Sequence, residues 1–132
     1  MTFANNKYMR HPTAQAIEKF NRLFDIDDDS YIQDWEIEAA DPGKIDQYLQ
    51  CYSNSVENDD ERFTLMALIL GAYEEYHAMN PPDAEHWPKI RSILLADMEI
   101  HRDHIDYYQC NDDGDEDGCF PITPLMRSIA IQ

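Results

Sequence analysis

Asp25, Asp27 and Asp29 occupy alternate positions, and Glu36 closes the same stretch at the twelfth place counted from Asp25. Oxygen ligands at places one, three, five and twelve are those of an EF-hand calcium loop, where a hard cation collects carboxylates. Ile32 fills the apolar eighth place, and Phe20 to Phe24 resembles the tail of an entering helix. Two residues depart from the pattern. Ser30 stands where the sharp turn wants glycine, and Pro42 cuts off the exit helix soon after Glu36. A paired loop would begin at Asp113, with Asp115, Asp117 and Gly118 in place, but it puts Pro124 where the closing glutamate belongs. Calcium binding at 25–36 is therefore an alternative reading, and an acidic surface loop is the plainer one.

Glu74 and His77 form Glu-x-x-His, the spacing used in di-iron helical bundles. That chemistry needs a second copy and two more inward glutamates, which His101-Arg102-Asp103-His104 does not supply. His101 and His104 lie three apart on a helix and could share a metal, although a hydrogen-bonded core His101 is the simpler expectation. A metal-dependent bundle enzyme using His77, His101 and His104 is thus the second alternative. There is no Gly-x-Ser-x-Gly and no phosphate-binding glycine loop, and the chain has only 4 glycines to build one. Neither catalysis nor a cofactor is expected. Cys51, Cys110 and Cys119 form no CxxC, and no histidine stands at zinc-finger spacing from them. Their odd number points to a reducing compartment. Residues 1–10 lack the apolar stretch of a signal peptide. Together these lead to an expected cytoplasmic location.

The charge is the loudest signal. With 10 Lys and Arg against 27 Asp and Glu, the formal net charge is −17. Such a chain repels nucleic acid and anionic membranes and attracts basic proteins. Its acids gather at 25–29, 34–38, 57–61 and 112–117, with aromatic residues alongside. Aromatic side chains anchor interfaces and acids steer a cationic partner onto them. The candidate partner-binding residues are Asp112, Asp113, Asp115, Glu116, Asp117, Tyr107, Tyr108, Asp27, Asp28, Tyr31 and Trp35. The competing reading makes the aromatics core and the acids a solvated surface.

The elements that would carry these residues follow from spacing. The longest apolar run, Phe63 to Tyr73, is too short to span a bilayer. Its Leu, Met and Ala content favours helix, with Asp59 or Asp60 as N-cap. A helix apolar nearly all round belongs at the centre of a bundle. Residues 12–24 read as helix, started by Pro12-Thr13, with Ile17, Phe20, Leu23 and Phe24 on one face. Residues 25–40 read as an extended segment or irregular loop. Asp41-Pro42 starts a helix whose face is Ile45, Tyr48, Leu49 and Tyr52. Asn80-Pro81-Pro82 ends the central helix near 79. One long helical face then runs from Trp87 through Ile90, Leu94, Met98, His101 and Ile105 to Tyr108. Thr123-Pro124 caps a short last helix. The expectation is an all-α single domain over 1–132, a compact bundle of about five helices with a long central antiparallel pair. Residues 1–11 would be a loose lead-in and 111–119 an acidic loop.

Four blocks carry a family resemblance: Asp34-Trp35-Glu36 with Ala40-Asp41-Pro42; Asp60 to Met66; Ile100-His101 with Tyr107-Tyr108; and Phe120 to Arg127. They resemble small acidic helical bacterial immunity proteins of polymorphic-toxin and contact-dependent growth inhibition systems. The resemblance implies neutralisation of a cognate toxin domain, commonly a basic nuclease; a monomer or weak dimer is the expected working form. It implies no catalytic residues and no particular contact residues.

Overall fold

Every residue from Phe63 to Leu70 is buried, so the helix that carries them must be covered on all sides. The computed structural model describes residues 10–26, 35–79, 85–110 and 120–129, and is all-α. Among the described residues the helices are α1 (Ala14–Leu23), α2 (Trp35–Glu38), α3 (Ile45–Asn54), α4 (Asp59–Met79), α5 (Trp87–Ala96), α6 (Met98–Gln109) and α7 (Thr123–Arg127). A 3₁₀ turn, Pro42–Lys44, leads into α3. Five helices have ten residues or more and α4 has 21. The last one packs against α1, α2, α3, the 3₁₀ turn and α6.

Capping chemistry sets the starts. The Thr13 hydroxyl accepts from Ala16 N at 3.2 Å, and the Asp41 carboxylate accepts from Gly43 N at 2.9 Å. At α4 the cap is Asn58 rather than Asp59 or Asp60: its side chain accepts from Glu61 N at 2.8 Å. Glu61 reaches back to Glu57 N at 2.9 Å, a variant of the capping box. Thr123 is also not the cap expected of it. It is buried, and its hydroxyl donates to Tyr108 O at 2.8 Å while accepting from Phe120 N at 3.0 Å. Pro124 still sits in the first turn of α7.

The segment read as extended or irregular contains α2. Trp35 is wholly buried and its Nε1 donates to Asn21 Oδ1 at 2.9 Å. The backbone of α2 then lies directly on Gly71 of α4, where a Cβ would run into the Glu36 carbonyl. Gly71 is the only residue type that permits this approach.

The expected long helix after the prolines is two helices. Asp97, at φ −111° and ψ 38°, ends α5, and its carbonyl accepts from Ile100 N and His101 N at 2.9 and 3.1 Å to start α6. Trp87 stacks on Tyr73 near the end of α4, while His86 and Asp97 reach Asp46 and Tyr52 at the two ends of α3, so α5 runs in the direction of α3 and opposite to α4. Phe63 then meets His104, and Glu74 meets Ile122 beside the Tyr108–Thr123 junction, so α6 turns again and runs with α4. The part of the expected long arm that packs on α4 is therefore α6, which runs with it, and only α5 points the opposite way.

The C-terminal segment is tied down by polar groups. Gln109 Nε2 donates to Met126 O and Ile129 O, and Arg127 donates to Gln109 O and Cys110 O at the end of α6. These bonds satisfy carbonyls that the helix itself leaves open.

Candidate functional site

Of the calcium-loop residues, Asp25 is exposed with φ 55°, a left-handed conformation aspartate tolerates. Glu36 is half-buried on α2, with its carbonyl against Gly71. Asp27 and Asp29 lie outside the described residues, as do Asp28, Tyr31, Asp112, Asp113, Asp115, Glu116 and Asp117. Two of the proposed aromatic anchors belong to the core. Trp35 is wholly buried, and Tyr108 is 7% exposed, packed edge-on against Phe120. Tyr107 differs: it is 60% exposed, on the same outward side of α6 as Glu99, Asp103 and Asp106 by helical spacing.

The histidines do not meet as a metal site. His101 and His104 are both buried, with ring centroids 5.7 Å apart, and each has its own partner. His104 Nε2 lies 2.9 Å from Phe63 O, so that nitrogen carries the proton, and the ring stacks on Phe63 at 3.9 Å. Burial pushes His104 down to about 4.

His101 joins a chain of polar groups from three different parts of the fold. Tyr52 OH lies 2.6 Å from Asp97 Oδ2 and 2.8 Å from His101 Nε2. A phenol has one proton, and an ionised carboxylate can only accept. Tyr52 therefore donates to Asp97, and His101 Nε2–H donates to Tyr52. Its Nδ1 is left as a buried lone pair without a hydrogen-bond partner. Burial, with lesser contributions from His104, Arg10 and Arg62, pushes His101 down to about 3. Burial and the Asp97 hydrogen bond push Tyr52 up. Neither group can exchange protons near neutrality, and His101 is fully enclosed. The set has the composition of an acid–base relay but the physical character of a core clamp. Tyr52→Phe should cost about 1–3 kcal/mol, because His101 Nε2–H loses its acceptor inside the protein. Urea unfolding at pH 7 measures it, and a loss below about 0.5 kcal/mol would count against the clamp.

Glu74 and His77 part company. Glu74 Oε1 accepts from Ile122 N at 3.3 Å, and burial raises its carboxyl to about 6. The His77 ring tilts against Tyr73, with ring centroids 5.7 Å apart. Among the described residues, the three ligand-type side chains that do converge are Asp46, Glu85 and His86, whose donor atoms all lie within 4.8 Å of one another. None was singled out from the sequence. His86 Nε2 is 3.1 Å from Asp46 Oδ1 across a separation of 40 positions. Only the loose pairing of Glu85 with His86 is visible locally.

Five of the 10 cations are used internally, while Arg22, Lys89, Arg91 and Arg102 are exposed. Lys19 Nζ holds Ser55 O, Glu61 and Glu57 at 2.9, 2.7 and 3.5 Å, binding α1 to the start of α4. Burial opposes ionisation of Glu61, but the Lys19 hydrogen bond, the Glu57 N–H and neighbouring positive charge outweigh it and hold the carboxyl below its usual range. Arg10 links Asp60 of α4 to Asp103 of α6, the first through its guanidinium at 3.4 Å and the second through its backbone N–H at 2.7 Å. Lys44 Nζ donates to Phe24 O, Arg62 pairs with Asp59, and Arg127 closes α6.

Cys51 is free and buried, whereas Cys110 is disulfide-bonded. The disulfide removes one support for the expected reducing compartment. Among the described residues no helix is long and apolar enough to cross a membrane. Comparison with family models, characterised proteins and solved structures finds no match.

Proposed function

We propose that this protein acts by binding, as an immunity protein that neutralises a cognate toxin domain, a basic nuclease, rather than by transforming a substrate. The observation that carries the reading is the distribution of charge. The chain bears −17, and five of its 10 cations, Arg10, Lys19, Lys44, Arg62 and Arg127, are spent on its own loops and helix ends, leaving Arg22, Lys89, Arg91 and Arg102 exposed among many more carboxylates. What faces outward is thereby biased toward carboxylates, which speed encounter with a cationic surface and disfavour nucleic acid. Tyr107 supplies an exposed aromatic beside Asp103 and Asp106. The resemblance to immunity proteins gives the partner its class. The working form is a monomer or weak dimer, needing no cofactor.

The test is protection and binding together. Co-expression should rescue cells from the nuclease domain encoded beside this gene, and purified protein should bind that domain tightly. Raising salt from 50 to 500 mM should slow association by tenfold or more. Asp106→Lys with Tyr107→Ala should slow it by about as much at low salt while leaving the helical circular dichroism unchanged. Rescue of nothing, or binding that ignores salt, would refute the reading.

A further inference from the structure

Asp46, Glu85 and His86 meet where three helices come together. Asp46 is in the first turn of α3, and Glu85 and His86 immediately precede α5. The His86 ring is 7% exposed and stands edge-on to Tyr76 of α4, with centroids 4.9 Å apart at 75°. The packing fixes one imidazole and points its Nε2 at the Asp46 carboxylate, 3.1 Å away. Glu85 and Asp46 are exposed, with their ligand atoms inside the same 4.8 Å grouping.

We propose that these three side chains form a binding site for a borderline divalent cation of the zinc class. The donor set is one imidazole nitrogen and two carboxylate oxygens, a combination that zinc accepts while retaining an open fourth position. Hard cations prefer six or more oxygens and have no use for imidazole. The dimensions suit it. Donors bound at about 2.0–2.2 Å stand roughly 3–4 Å apart, so the two exposed carboxylates need only a small rotation toward a ring that is already held. The charge suits it as well. Two carboxylates in a chain of net −17 repel each other, and a dication with a neutral imidazole brings the local sum to zero. Binding would fasten the entry of α5 to α3 and, through Tyr76, to α4.

The experiment uses the full chain, stripped with chelator and titrated with zinc chloride by calorimetry, with thermal melts alongside. One zinc per chain is expected, with the melting temperature rising by roughly 5–10 °C at a hundredfold excess over the dissociation constant. Glu85→Gln and His86→Ala should each weaken binding by about tenfold or more and remove most of the rise. Because His86 is buried, Glu85→Gln at an exposed position supplies the variant whose fold is secure, and circular dichroism checks both. Calcium should bind far more weakly than zinc. The proposal is overturned if zinc gives no heat, if its affinity survives both substitutions, or if calcium binds as tightly.

Discussion

Gly71→Ala will destabilise the protein by about 2–3 kcal/mol, although alanine is the better helix former by about 1 kcal/mol. The reason is the contact with α2. A Cβ at position 71 meets the Glu36 carbonyl oxygen at overlap distance, its carbon at 3.1 Å and the Ala40 Cβ at 3.3 Å. Backbone cannot yield as a side-chain tip can, so α2 must move off α4. Trp35 stands at the first position of α2 and is wholly buried, so its environment reports the movement. Urea titration should show the lower midpoint, and tryptophan emission should shift to the red already in the native baseline. Equal or greater stability would mean that α2 does not lie on Gly71.

Acid will unfold the protein through its two core histidines. His101 and His104 are held down to about 3 and about 4, against an ordinary value near 6.5. Above 6.5 both are neutral in either state, and their contribution to stability is complete. As pH falls below 6.5 the unfolded chain takes up two protons that the native state refuses. Stability therefore drops by about 1.4 kcal/mol per pH unit for each histidine. From 6.5 to 4 the loss reaches several kcal/mol, a large share of a typical domain's total. Glu61, held below its usual range by Lys19, adds to the loss at the acid end. Glu74 works the other way: raised to about 6, it keeps its proton in the native state while the unfolded carboxyl is ionised, which offsets part of the fall. Unfolding free energies measured at half-unit steps should show the slope. His101→Gln should flatten it by close to one proton, and a slope the variant leaves unchanged would remove His101 from the account.

Two starts, at Thr13 and at the 3₁₀ turn after Asp41, were legible because capping is local, whereas the caps of α4 and α7 were not where the sequence put them. Thr13 and Asp41 do what their types and following residues announce. So was the central position of α4, since an apolar run in so acidic a chain has nowhere else to go. The break at Asp97 was not legible. No glycine or proline marks it, and its strongest partner, Tyr52, is 45 positions away. The same holds for α2, whose burial depends on Asn21 and Gly71 rather than on its own four residues. Asn58 is a good cap by residue type, but the acids that follow it, Asp59 and Asp60, compete for the same role. The grouping of Asp46 with Glu85 and His86 is set by how α5 returns, and no local spacing encodes it.

The enclosure of Phe63 to Leu70 has a consequence for synthesis. These residues leave the ribosome before α6, which completes their cover, has been made. For that interval the nascent chain displays an unbroken oily segment, bordered on its N-terminal side by Asp59, Asp60 and Glu61. Those acids act as gatekeepers, opposing association between neighbouring chains until α6 has been made.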